Sequence, residues 1–137
     1  MDLGDRRIGV ALSDSQGALA LPYEVVARSG DEARDHRRLA ELAAEAEVDS
    51  IVVGMPYSLD GSIGPAAARI AAEVERLANV VPVPVETVDE RLTTVSAHRS
   101  LRASNVKGRK RRQVVDKVAA AVILQGWLDA KRAQGDR

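Results

Sequence analysis

Cysteine is absent from this 137-residue chain and so is phenylalanine; its aromatic residues are one Trp and two Tyr. Without thiols there can be no disulfide staples and no thiolate metal site, and the composition suits a reducing, cytoplasmic compartment. With so few aromatics, a nucleic-acid site cannot be a wall of stacked rings, as single-strand binders often use. No apolar run is long enough to cross a bilayer and no signal-peptide pattern is read, so no membrane role is expected. Net charge of one sign is also lacking. Lys plus Arg equals Asp plus Glu at 20 each, so only the distribution of charge can mark a polyanion site.

What is present is aliphatic. Hydrophobic residues make up 45 % of the chain, enough for one core built from Val, Leu, Ile and Ala. The length fits a single domain over residues 1–137. Asp2 belongs to a first strand, Gly4-Asp5 is a turn signal, and Arg7–Ser13 is a β-rich run, so the chain opens as a hairpin. Ala18–Leu21 is expected as a third strand ended by Pro22. Asp31–Glu47 has an apolar face at Leu39, Leu42, Ala43 and Ala46, with Asp31 as N-cap. Ser50–Gly54 and Val83–Val88 read as strands, and Pro65–Ala78 as a helix with Pro in its first turn. Thr93 or Thr94 caps a helix to Leu101. Arg102–Arg112 is a basic loop, and Gln113–Lys131 a final helix with Val114, Val118, Ala121, Val122 and Leu128 as its apolar stripe. Alternation of strands with helices implies a parallel half-sheet beside the antiparallel opening. The fold class is therefore α/β.

Acidic residues stand at particular places in this order. Asp2 precedes a turn glycine, Asp89 and Glu90 follow a buried strand, and Asp116 lies in the first turns of the last helix. A charge at the end of a buried strand is costly unless compensated. Strand ends and helix starts meet at the ligand crevice of an open α/β sheet. Carboxylates gathered there repel one another, and a divalent cation removes that cost. Oxygen donors favour Mg²⁺ or Mn²⁺, which can activate water and stabilise a leaving oxygen in phosphodiester hydrolysis. Adjacent strand residues face opposite ways, so Glu90 is the expected ligand and Asp89 the partner of Arg91 or the backbone. The plainer alternatives are a solvated Asp2, a surface ion pair Asp89–Arg91, and Asp116 as a first-turn acid favoured by the helix dipole.

Lys107-Gly-Arg-Lys-Arg-Arg112 holds five positive charges in six residues, just ahead of Asp116. Lys107, Arg109, Lys110, Arg111 and Arg112 are candidate phosphate contacts, with Arg6 and Arg7 adding to them from the opening turn. The alternative is a solvated charge run. The loop Met55–Gly64, with Asp60-Gly61, either lines the crevice or is a plain turn. His36 and His98 are expected on helix surfaces, and Trp127 as a core anchor.

Four blocks of the sequence resemble the YqgF (RuvX-type) family. They are Asp2–Asp14 (Asp-Leu-Gly-Asp-Arg-Arg-Ile-Gly-Val-Ala-Leu-Ser-Asp), Val53-Gly-Met-Pro56 with Asp60-Gly61, Asp89-Glu-Arg-Leu-Thr-Thr94, and Val115–Ala121. They occur in family order and span nearly the whole chain. The resemblance implies an RNase H-like fold with five strands in a mixed sheet flanked by helices. It also implies a metal site from Asp2, the Asp89-Glu90 pair and Asp116, and catalytic roles for them. The family is associated with 5′-end maturation of precursor 16S ribosomal RNA, and its likeness to RuvC resolvases implies a possible role on branched DNA. Pre-rRNA, or a ribosome precursor, thus enters as a partner only through the resemblance. In one respect the chain departs from the pattern. Members carry several residues ahead of Asp-x-Gly where this chain has Met1 alone, so the first strand is expected to be truncated.

Two rivals share some of these features. An actin-like or sugar-kinase-like ATP site also begins with Asp-x-Gly on a hairpin, but needs two such domains. A non-catalytic ribosome-assembly module would keep the fold and not the chemistry. The state of assembly, monomer or homodimer, bears on junction cutting, which needs two sites.

Overall fold

A computed structural model describes the backbone of residues 1–92 and 109–134, and the side chains of 1–91 and 116–134. The strands are β1 (Asp2–Leu3), β2 (Arg7–Ser13), β3 (Ala20–Ala27), β4 (Ile51–Met55) and β5 (Val85–Asp89). The helices are α1 (Glu32–Glu45), α2 (Pro65–Ala78) and α3 (Arg109–Ala133), with a short 3₁₀ turn over Glu90–Leu92. The hairpins β1–β2 and β2–β3 are antiparallel, whereas β4 and β5 run parallel. Two hydrogen bonds join these halves. The Met1 nitrogen donates to the Val52 carbonyl at 2.6 Å, and the Gly54 amide donates to the Met1 carbonyl at 3.2 Å. Bonds from one residue to both neighbours of its partner are the parallel pattern. The five strands thus form one mixed sheet in the order β3-β2-β1-β4-β5, as the family resemblance implies.

Alternation along the strands gives the sheet two different faces. Leu3, Ile8, Val53 and Met55 turn toward α1 and α2 and join the main core with Leu39, Leu42 and Leu77. Ile8, Leu39 and Leu77 have no measurable exposure. Truncating any one to Ala would cost roughly 2–5 kcal/mol. The other face receives α3, where Val52 and Ile123 form a smaller cluster with Val88 and Trp127 at its margin. Asp31 caps α1 by accepting the Arg34 amide at 3.2 Å, and Pro65 opens α2 after Gly64.

Several boundaries differ from the sequence reading. Strand β3 does not stop at Pro22 but runs through it, with Pro22 opposite Ala11. Among the described residues β3 is an outer strand, and the register shifts between Val10 and Ala11, so the missing N–H costs little there. Arg109–Arg112 are not loop but the first turn of α3. Arg and Lys are good helix formers, and that preference prevails over the unfavourable meeting of cations with a helix N-terminus. The buried stripe of α3 is Asp116, Ala119, Ala120, Ile123 and Leu128, whereas Val118, Ala121 and Val122 are only half-buried. The helix is set by a close approach to β2 that small residues permit, with Val122 packed at the margin of the smaller cluster; the side chain of Val114 lies outside the described residues. His36 is buried on α1 rather than exposed. The expected helix over Thr93–Leu101, His98 and Lys107 lie outside the described residues.

Candidate metal centre

Asp2 and Gly9 are directly paired across β1 and β2, so both face α3. Gly9 is where the helix comes closest. A Cβ there would collide with the Asp116 carbonyl and lie 3.5 Å from the Ala120 methyl. Only a residue without a side chain allows this approach. The same strand face carries Arg7 two residues earlier, and its Nε donates to Asp116 Oδ2 at 2.6 Å. Asp116 is 3 % exposed, since it belongs to the helix stripe that meets the sheet.

Glu90 arrives from the other half of the sheet. Gly54 pairs with Val88 and Met55 with Asp89, and the chain turns into the 3₁₀ segment immediately afterwards. A Cβ on Gly54 would stand 3.0 Å from Glu90 Cγ and 2.7 Å from Ile123 Cδ1. Glu90 therefore lies on the α3 face, against the strand whose Gly54 amide is bonded to Met1, beside Asp2. Asp2 and Glu90 are each 2 % exposed. Two glycines, one on each side of β1, thus leave room on the sheet face that carries Asp2 and Glu90, Gly9 against Asp116 and Gly54 against Glu90.

Asp89 points elsewhere. Its carboxylate accepts the Arg91 amide at 2.9 Å and the Arg91 guanidinium at 2.5 Å. The Arg91 hydrogen bond holds the Asp89 carboxyl below the usual range, against a smaller opposing effect of burial. Arg91 also reaches the Leu59 carbonyl at 3.4 Å and lies over the Tyr57 ring at 5.8 Å. The loop after β4 is thereby tied to the end of β5, beside Glu90.

Of the basic candidates, Arg7 is committed to Asp116, while Arg6 is exposed and lines a shallow concavity with Arg28, Glu32 and Asp35 on the α1 side. The two neighbouring arginines thus serve opposite faces of the sheet. Arg109, Lys110, Arg111 and Arg112 occupy the first turn of α3, one to two turns ahead of Asp116.

A second buried polar group went unread in the sequence. Glu73 Oε2 meets His36 Nε2 at 2.7 Å, and Arg28 grips both Glu73 oxygens at 2.9 Å. Glu32 stands nearby, paired with Arg76 at 2.5 Å. Among the described residues, Glu32, His36 and Glu73 form the group whose ligand-type atoms lie within 4.8 Å of one another. It is poorly suited to a metal, because two guanidinium groups already hold its carboxylates. It acts as a clasp between β3, α1 and α2. The available signal was spacing: His36 lies three and seven residues before Leu39 and Ala43 on the buried face of α1.

The comparisons with known proteins agree with one another on family and fold. The sequence model of a family described as "RuvX: Holliday junction resolvase" matches residues 1–130. A Streptomyces coelicolor protein named "Putative pre-16S rRNA nuclease" is 50 % identical over 136 residues, covering 98 % of this chain and 81 % of that protein. A Mycobacterium leprae protein of the same name is 52 % identical over 134 residues, covering 97 % and 72 %. Among solved structures, "Thermus thermophilus RuvC structure" superposes with a TM-score of 0.54 at 17 % identity, covering 96 % of this chain and 93 % of that one. The last likeness speaks for the fold alone.

Proposed function

The chain belongs to the RuvX family, and from that premise we propose that it is a divalent-metal-dependent endonuclease acting on precursor 16S ribosomal RNA, within a ribosome precursor in the cytoplasm. The observation that carries this reading is the burial of Asp2, Glu90 and Asp116 on one face of the sheet, around the clearing left by Gly9 and Gly54.

The donor set fits Mg²⁺ or Mn²⁺. Asp2, Glu90 and Asp116 offer hard oxygen ligands, and the chain has no thiolate to favour a softer ion. Bound there, such an ion would supply an activated water and stabilise the oxygen that leaves when a phosphodiester is hydrolysed. The side chains do the rest. Asp2 is fixed by its strand pairing, Asp116 by Arg7 and the Gly9 contact, and Glu90 by the turn out of β5. Carboxylates held in place before substrate arrives lower the cost of orientation. Asp89 acts through Arg91, holding the turn that presents Glu90. Helical periodicity puts positions 109 and 112 on the side of α3 that Asp116 occupies. Arg109, Lys110, Arg111 and Arg112, with Lys107, are proposed to hold phosphates flanking the cut, whereas Arg6 faces the α1 side and is left out of that set. With few aromatics available, grip on the backbone rather than base stacking would carry binding.

Branched DNA is the second reading, favoured by the description of the matching family. Cleavage of a labelled precursor-rRNA fragment and of a four-way DNA junction, in Mg²⁺ or Mn²⁺, separates the two. We expect the wild type to cut the RNA and Asp116→Asn to leave it intact. Equal activity of the two proteins would refute the assignment of the site. Cutting of the junction alone, by a homodimer with two sites, would move the substrate to DNA.

A further inference from the structure

Among the described residues, the charged groups with defined partners outside the three carboxylates include the Glu73 clasp, the Asp89–Arg91 pair, and Arg7. The last has the most direct bearing on the site. Arg7 Nε meets Asp116 Oδ2 at 2.6 Å, with the two side chains only 18 % and 4 % exposed. Arg7 is placed there by the strand. It shares the α3 face of β2 with Gly9, which packs against the Asp116 backbone, and Asp2 is paired opposite Gly9. The guanidinium therefore stands on the sheet face that carries Asp2 and meets Asp116.

We propose that Arg7 is a positioning residue that serves as a built-in cation for Asp116 and limits how tightly a divalent ion is held. This inference rests on the metal-centre reading above. With no ion bound, Arg7 offsets part of the repulsion among three buried carboxylates and fixes Asp116 through Oδ2. An incoming ion meets Asp116 with one oxygen already engaged and a like charge beside it. Affinity is then set below what three unengaged carboxylates would reach, which keeps the ion exchangeable. Charge, rather than the shape of the guanidinium, is what matters for this effect, because a like charge at close range weakens binding whichever group carries it. Arg7 is consequently removed from the set of substrate-gripping residues.

Manganese titration of the full chain, read by Mn²⁺ paramagnetic resonance, tests this without recourse to activity. Arg7→Gln should bind Mn²⁺ at least tenfold more tightly than wild type, and Arg7→Lys, which restores the charge, should return to within about threefold of it. Unchanged or weaker binding by Arg7→Gln would overturn the proposal, as would Arg7→Lys binding as tightly as Arg7→Gln. Asp2→Asn serves as the control that locates the ion. If wild type binds Mn²⁺ and Asp2→Asn does not, while Arg7→Gln equals wild type, only the role of Arg7 fails. If wild type and all variants bind nothing, the metal-centre reading fails and this inference with it. Should Arg7→Gln not fold alone, circular dichroism during the titration replaces resonance. Recovery of the fold by millimolar Mn²⁺ would support the proposal, and failure to recover would overturn it.

Discussion

Gly9 and the carbonyl of Asp116 are in such close contact that a single methyl group on Gly9 would stand 2.3 Å from the carbonyl oxygen. This contact seats α3 on β2 and brings the turn that carries Asp116 onto the sheet face of Asp2. Gly9→Ala must push the helix off the sheet or bend the strand. Overpacking of this kind costs about 1–3 kcal/mol. We expect a lowered urea midpoint, and a larger loss of nuclease activity than that stability change explains.

Metal should stabilise the folded chain, because carboxylates gathered at one place exist only there. At an ion concentration of about 100 times Kd, the gain is about 2.7 kcal/mol. Thermal melts with and without Mg²⁺ or Mn²⁺ should show an upward shift in wild type that is lost in Asp2→Asn and Asp116→Asn. Melts that do not move with the ion would speak against the centre.

Adjacent residues Asp89 and Glu90 should behave very differently. Glu90 is buried against Gly54, whereas Asp89 is bound up with Arg91. Glu90→Gln is expected to reduce cleavage by more than about 100-fold. Asp89→Asn should cost about tenfold, within the range of groups that orient a ligand from behind. Comparable losses would mean that both carboxylates contact the reacting centre.

The Glu73 clasp should give the protein an acid limb. Burial raises the Glu73 carboxyl, but hydrogen bonds from Arg28 and His36 outweigh it, and the net result is below the usual 4.5. A depressed carboxyl contributes stability that is complete above its unfolded value and lost as pH falls through the folded one. Urea midpoints should thus fall from pH 4.5 downward in wild type. Glu73→Gln should be less stable by about 2–4 kcal/mol at neutral pH, since Arg28 and His36 lose a buried partner, and should show a flatter acid limb.

Much of the architecture was readable because it rests on local rules. Strand β2 and helix α2 have the bounds that composition and Pro65 indicate, and Asp31 caps α1 as its side chain predicts. Pro22 misled because its effect on a strand depends on whether a neighbour needs its N–H. The first turn of α3 misled because a run of cations reads as solvated loop until helix propensity is weighed against it. The α3 stripe was misplaced in part: Leu128 is buried as expected, but Val118, Ala121 and Val122 are half-buried, whereas Ala119, Ala120 and Ile123 face the sheet where the helix comes close. His36 was read as exposed from its polarity, and its burial depends on Glu73, 37 residues away in the chain.

By itself, the sequence determined which residues carry acid, where the turns and helix starts fall, and that no thiol or aromatic wall takes part. Those properties depend on side-chain chemistry and near neighbours. The tertiary structure alone decided that Asp116 meets Arg7 across 109 residues and that Gly9 and Gly54 both lie under α3. Such pairings depend on strand order, on register and on a few tenths of an ångström of packing between distant segments. Spacing along the chain does not encode these distances until the sheet has formed and α3 has closed over it.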